Sequence, residues 1–306
     1  MKCDRCDRDS VVYIRYNGEH LCKEHFFDFL EKRVKHEIRK QVNIKKGDRI
    51  AVAVSGGKDS SVALYLMKKI FSVRKDVEIF AITVDEGIYG YRDRALNVLK
   101  DFVNVLDVPH YIYRMKDMIG YDVDEISNID KELVPCTYCG VFRRKIINYA
   151  ARELKANYVA TGLNLDDTAQ SIVMNIVRGD VERLMRLGPH DVIKEDLIPR
   201  IQPLRMIPEK EILLYAILKG IKFYHGECPY APKALRNDFR SCIDSWESRN
   251  PGSRHSIISF YDEIKNNLQG KFPRTRLNRC RICGDPTTGE ICKSCELKLR
   301  LDSLKD

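Results

Sequence analysis

The sequence predicts an α/β protein, a parallel sheet with helices on both faces, flanked at either end by a small zinc-binding module. Three observations predict it. Ile50-Ala51-Val52-Ala53-Val54 is a short apolar run suited to a strand buried on both faces, and a glycine-rich turn and a helical apolar spacing follow it. Strand and helix patterns then alternate along the chain, as a parallel sheet requires. Paired cysteines stand at both chain ends, where no long apolar pattern competes with them.

The first module, residues 1–27, carries Cys3-x-x-Cys6 and Cys22-x-x-His25. Two pairs of soft ligands around a short polar hairpin read as a tetrahedral zinc site. Val11-Val12-Tyr13-Ile14 resembles a strand, and Asn17-Gly18 is a turn signal. So small a fold buries too little apolar surface to stand alone, so its stability is expected to come from the metal. An amphipathic segment from Phe26 to Val42 predicts a helix linking this module to the core, assigned to residues 28–46.

The core, residues 47–270, continues with Val62, Leu66 and Ile70 at helical spacing, then strand candidates at Glu78–Val84, His110–Tyr113 and Asn157–Thr161. The last module, residues 271–306, carries Cys280-x-x-Cys283-Gly284 and Cys292-x-x-Cys295, four paired ligands that make a zinc ribbon. Neither set leaves a coordination position open, so both zinc ions are expected to be structural.

Composition narrows the partners. The net charge of +9 favours a polyanion, and basic residues gather at Arg33, Lys35, Arg39, Lys40, Lys45 and Lys46 and again from Lys271 to Arg281. No uncharged apolar stretch reaches the ~18 residues that a membrane span needs, and no apolar run follows Met1, so neither a membrane nor a secretory route is expected. Few glutamines beside a charge-rich composition fit a heat-adapted source. Cysteines without a signal peptide point to metal or redox chemistry in a reducing compartment.

Ser55-Gly56-Gly57-Lys58-Asp59-Ser60 lies between the first core strand and its helix. The glycines let the backbone approach a phosphate, and the helix N-terminus offers free N–H groups and a positive dipole end. Lys58 adds charge, and Ser60 is expected to cap the helix and donate a hydroxyl. A Walker A loop is excluded, because Val52 stands where that pattern needs its first glycine.

This string resembles the PP-loop of the N-type ATP pyrophosphatases, which cleave ATP between the α and β phosphates and adenylate a substrate. Val84-Asp85-Glu86-Gly87-Ile88 and Thr161-Gly162-Leu163-Asn164-Leu165-Asp166-Asp167 are similar to two further segments of that superfamily, with Leu163 in place of its usual His. All three lie at carboxyl ends of predicted strands, where open α/β sheets bind ligands. The resemblance implies a Rossmann-like sheet of the adenine nucleotide α-hydrolase (HUP) kind. It implies ATP with Mg²⁺ over Ala53, Ser55, Gly56, Gly57, Lys58, Asp59 and Ser60, with Ile82, Asp85, Arg143, Gly162 and Asp167 also contributing.

Four cysteines remain outside the zinc sets. Pro135-Cys136-Thr137-Tyr138-Cys139-Gly140 opens a helix running through Arg143 and Arg144, and Cys228 sits in Glu227-Cys228-Pro229; Cys242 has no evident role. A helix N-terminus lowers a thiol's pKa and so favours thiolates. Two chemistries fit these residues. Cys139 or Cys228 carries a persulfide that a partner thiol releases, or Cys136, Cys139 and Cys228 hold a [4Fe–4S] cluster with one iron open to sulfide. The residues alone leave both open.

The order of these motifs, ending in Cys280-x-x-Cys283-Gly284-Asp285-Pro286-Thr287-Thr288-Gly289, resembles the TtuA-type tRNA 2-thiouridine synthetases over essentially the whole chain. The resemblance implies a cytoplasmic tRNA sulfurtransferase with the cluster at Cys136, Cys139 and Cys228. It implies uridine 54 (5-methyluridine) of the T-loop as target and a ubiquitin-like carrier ending in a thiocarboxylate as sulfur source. Lys58 and Arg143 would stabilise phosphate charge, and Asp59 would serve Mg²⁺ or a proton. Arg143 stands where a bacterial relative carries a lysine, and the two are not interchangeable. The competing readings are thiolation of wobble uridine 34, an ATP-dependent amidotransferase or lysidine-type ligase, and a zinc-finger RNA-binding protein with a decayed nucleotide domain. Oligomeric state stays open, with a homodimer as one option.

Overall fold

Strand β1 (Arg49–Ala53) is the apolar run of the sequence, and the chain builds a sheet on either side of it. β2 (Glu78–Asp85), β3 (His110–Arg114), β4 (Tyr158–Thr161) and β5 (Arg200–Ile201) join it in a five-stranded parallel sheet of order β3-β2-β1-β4-β5. This computed structural model describes residues 1–189, 196–231, 236–268 and 277–305, without the side chains of residues 236 and 237. The strand order reverses between β1 and β4, which makes their carboxyl ends the switch point where such sheets bind ligands. Ala53 lies opposite Ile82 on one side and Thr161 on the other, so three loops leave the sheet at one level.

The four expected strands form, with ends moved by one residue at most. The fifth, β5, is two residues long and too short to show a period.

Alternation along β1 and β2 divides the core. Ile50, Val52, Ile79 and Ala81 face helices α2 (Lys58–Phe71) and α3 (Arg92–Val105), packing on Val62, Leu66, Leu99 and Phe102. Ala51, Phe80 and Ile82 face the other way, onto Ala150 and Ala151 of α4 (Pro135–Glu153). With both faces covered, apolar residues fill successive positions of the strands.

The linker helix expected over 28–46 runs from Lys23 to Gln41 as α1, starting earlier and stopping sooner. Cys22 occupies its N-cap, so His25 lies in the first helical turn and the zinc module and helix share residues. Phe26, Leu30, Val34 and Ile38 form its buried stripe, each contributing about 1.5–3 kcal/mol by leaving water. The hairpin Val12–Ile14/Glu19–Leu21 forms around the Asn17-Gly18 turn.

After β4 come α5 (Leu165–Val177), α6 (Glu209–Lys219), α7 (Arg236–Arg249), α8 (Ser253–Leu268) and α9 (Lys293–Lys305). Helix α9 returns to the core. Its Leu297 and Leu301 pack with Tyr138 and Phe142 of α4, while Arg300 pairs with Asp130 at 2.7 Å and Asp130 accepts from the Tyr138 hydroxyl at 2.6 Å. Of the basic run from Lys271, residues 271–276 fall outside the described residues; Arg279 is paired with Asp196 and Arg281 with Glu290. Among the described residues no helix is long and apolar enough to cross a membrane.

Candidate active site

Ser60 is not the helix cap that its position suggests. Helix α2 starts at Lys58, its N-cap is Gly57 with no side-chain cap, and Ser60 lies inside the first turn. There the Ser60 hydroxyl donates to the Gly57 carbonyl at 3.0 Å and accepts from the Ser55 N–H at 3.1 Å, closing the loop on itself. The uncapped helix end therefore stays available to an anion. Gly56 has φ +86°, and a Cβ there would lie 2.8 Å from the Ala95 carbonyl oxygen, so the turn admits only glycine.

Lys58 is held between two carboxylates, Asp59 at 3.0 Å and Glu209 at 2.5 Å, and Glu209 also meets Arg240 at 3.3 Å. Asn164 donates to Asp59 at 3.2 Å, and Asn164 and Asp167 form the capping box that starts α5. Asp85 accepts from the Gly87 N–H at 3.0 Å. Ile82 lies fully buried in the sheet beside Ala53, and Leu163 is exposed. Gly162 presses on α2, and a Cβ there would lie 2.8 Å from the Ser60 nitrogen.

Two routes join this loop to the cysteines. Buried Arg92 donates to the Ser55 carbonyl at 2.7 Å and to the Val84 carbonyl, and it pairs with buried Glu86 at 2.9 Å. Glu86 in turn meets Arg143 of α4 at 3.6 Å. The second route is the strap from 221 to 231. Tyr224 N–H donates to the Gly56 carbonyl at 2.8 Å, and the Tyr230 carbonyl lies 3.5 Å from Cys136 Sγ. Cys228 lies between those two contacts.

Cys136, Cys139 and Cys228 are partly buried free thiols whose charges act on one another. The thiols do not shift downward as their place in the first turns of α4 suggested. Burial pushes Cys139 up to about 12 against the pull of Arg143, and burial and then Cys228 push Cys136 up. Desolvation of a thiolate outweighs the helix dipole here. As free thiols they are poor nucleophiles near neutral pH, whereas a metal would take them as thiolates by displacing the protons. Among the described residues they are not among the groups whose ligand atoms all lie within 4.8 Å, as one ion would require. Thiolates bound to separate irons of a cluster need not approach one another that closely. Cys242 is exposed on α7 and joins neither group.

Cys3, Cys6, Cys22 and His25 do lie within 4.8 Å of one another, as do Cys280, Cys283, Cys292 and Cys295. The Cys6–Cys22 and Cys283–Cys292 sulfurs are 3.7 and 3.6 Å apart, close to the about 3.8 Å edge of a tetrahedron with zinc–sulfur bonds. His25 faces Cys3 and Cys22 through Nδ1 at 3.3 and 3.5 Å. Both sets thus fit zinc. Lys145 of α4 donates to Cys283 Sγ at 3.1 Å and pairs with Asp285, fixing the ribbon to the cysteine helix. Cys280→Ser is expected to halve the zinc content from two ions per chain to one and lower the melting temperature. Metal analysis beside a thermal scan tests this, and an unchanged zinc content refutes the site.

Sequence reasoning assigned no role to Glu86, Arg92, Glu209 or the strap's Tyr224. Glu86 stood inside a recognised motif, but its partners lie on other helices.

The description of a PP-loop domain matches residues 30–245, and that of the N-terminal LIM domain of the 2-thiouridine synthetase TtuA matches residues 2–27. The tRNA 2-thiolation protein NcsA of Haloferax volcanii is 35% identical, over 97% of this chain and 98% of its own length. The tRNA-5-methyluridine(54) 2-sulfurtransferase of Pyrococcus horikoshii is 32% identical, over 97% of this chain and 93% of its own. Among solved structures, the U34-tRNA thiolase NcsA from Methanococcus maripaludis with its [4Fe–4S] cluster is 33% identical and superposes with a TM-score of 0.87, over 98% of this chain and 96% of that one.

Proposed function

Because the chain belongs to the PP-loop family of tRNA 2-thiolation proteins, we propose that it adenylates a tRNA uridine at O2 and exchanges that oxygen for sulfur at Cys136, Cys139 and Cys228. The observation that carries this is the strap. Within seven residues it touches the nucleotide loop at Gly56, presents Cys228, and reaches Cys136, so activation and sulfur delivery share one cleft.

The phosphates of ATP, with Mg²⁺, lie against the open first turn of α2, where the backbone N–H groups and Lys58 face them. Lys58 leaves its carboxylates for the α-phosphate, and Arg143, steadied by Glu86, approaches from the cysteine side. Both stabilise charge that grows as the uridine O2 attacks and pyrophosphate departs. Asp59 stays with Mg²⁺ or takes the proton. The target base leaves its stack to enter the cleft. Cys136, Cys139 and Cys228 would hold a [4Fe–4S] cluster, and when bound it would supply the sulfide that replaces the activated oxygen. AMP then leaves. A ubiquitin-like thiocarboxylated carrier renews the sulfur in the cytoplasm, and a homodimer is compatible with all of these steps.

Wobble uridine 34 is the first reading of position, favoured by the similarity to the NcsA thiolase of Methanococcus maripaludis along nearly the full length. Uridine 54, implied by the TtuA resemblance, is the second, favoured by the Pyrococcus relative. Position-resolved nucleoside mass spectrometry of tRNA from a deletion strain is expected to show loss of 2-thiouridine at position 34. Loss at position 54 instead selects the second reading, and intact thiolation at both refutes the function.

A further inference from the structure

Helix α4 runs against the strands. Its C-cap Leu154 accepts from Arg49 at the start of β1, at 2.6 Å, while its N-terminal half meets Glu86 at the end of β2. The segment before β5 lies along the same helix, because Asn148 accepts from the Ile198 N–H at 3.1 Å and donates to the Asp196 carbonyl at 2.9 Å. One turn from Asn148 toward the cysteines is Arg144, and two residues beyond Ile198 is Arg200. The two guanidiniums act on each other, and Arg143 and Arg183 add further positive charge around Arg144. Arg143 and Arg183 have carboxylates, Glu86 and Asp180. Among the described residues the side chains of Arg144 and Arg200 have no ion pair and no hydrogen bond.

Burial, and after it the charge of Arg144, pushes Arg200 down to about 10. Two neighbouring cations without a counterion cost stability in the free protein, and an oxyanion bound between them removes that cost. We propose that Arg144 and Arg200 form a phosphate clamp that grips a backbone phosphate of the tRNA beside the cleft and so positions the entering nucleotide. This rests on tRNA being the substrate. The planar forks of two arginines suit the tetrahedral phosphodiester, and Arg144 follows Arg143 directly on α4, five residues after Cys139.

The test measures equilibrium binding of unmodified tRNA by the cluster-loaded protein over a series of KCl concentrations, together with KM for ATP, inhibition by pyrophosphate, and melting temperature. R144Q/R200Q is expected to bind tRNA about tenfold more weakly, with a log–log salt slope smaller by about one. Its ATP KM and pyrophosphate inhibition should not move, and its melting temperature should hold or rise. R144K/R200K should restore the slope and part of the affinity. Unchanged tRNA binding overturns the clamp. So does a shift in ATP KM or pyrophosphate inhibition, which would give the pair to the nucleotide, and so does a fall in melting temperature shared by both variants, which would make it structural. If the wild-type chain binds no tRNA, the substrate reading itself fails.

Discussion

Cys139→Ser is expected to abolish tRNA thiolation, lowering the thiolated nucleoside by well over the about 100-fold that loss of an outer-shell partner costs a metal site. The serine hydroxyl is a hard, weakly acidic group and replaces a thiolate poorly on iron. The site also has no spare ligand, because the only other cysteine outside the zinc sets, Cys242, is exposed on α7. Iron and acid-labile sulfide should fall with activity, while zinc stays at two ions per chain because neither zinc set includes Cys139. Cys136→Ser and Cys228→Ser should behave alike, and Cys242→Ser should leave turnover unchanged. The decisive measurement pairs metal analysis with nucleoside mass spectrometry under anaerobic conditions. A Cys139→Ser protein that thiolates at the wild-type rate would remove the sulfur site from the cleft.

The same three thiols show where sequence stops informing. Their candidacy was legible by elimination once seven cysteines and His25 had been given to zinc by spacing alone. Their environment was not. A thiol near the N-terminus of a helix reads as acidic, yet Cys139 is pushed up to about 12 because burial outweighs the dipole, and burial depends on segments far away in the chain. The strands of the sheet were legible because both faces are covered, so every residue of Ile50–Val52 had to be apolar. Glu209 and Lys58 meet across 151 positions, and Arg33 and Glu211 across 178. No local period encodes such pairs. Glu86 is the instructive case. A carboxylate after a strand was visible in its motif, but its burial between Arg92 and Arg143, linking the nucleotide loop to the cysteine helix, appears only when α3 and α4 pack on the sheet.

Gly162→Ala separates the two halves of the proposed reaction. A Cβ at this position would lie 2.8 Å from the Ser60 nitrogen, 2.9 Å from the Asp59 carbonyl carbon and 2.9 Å from the Ser60 Cα. All three are backbone atoms of the first turn of α2, so no flexible side chain can swing aside. The turn itself must move. It is also tied to the β4 loop by the Asn164–Asp59 hydrogen bond, and Glu209, which holds Lys58, is fixed through its own N–H to Asp166 at 2.8 Å. Displacing the turn therefore shifts Lys58 relative to both carboxylates and to the phosphates it serves. Overpacking of this kind costs about 1–3 kcal/mol of stability. A displacement approaching 1 Å in a positioning element costs on the order of 10² in rate. The expected variant binds tRNA and keeps its iron, yet it shows a raised ATP KM and a lowered rate of AMP formation, opposite to Cys139→Ser, whose lesion lies in sulfur content. A Gly162→Ala protein with wild-type melting temperature and wild-type AMP formation would mean that the contact between β4 and the nucleotide loop does not set the geometry of activation.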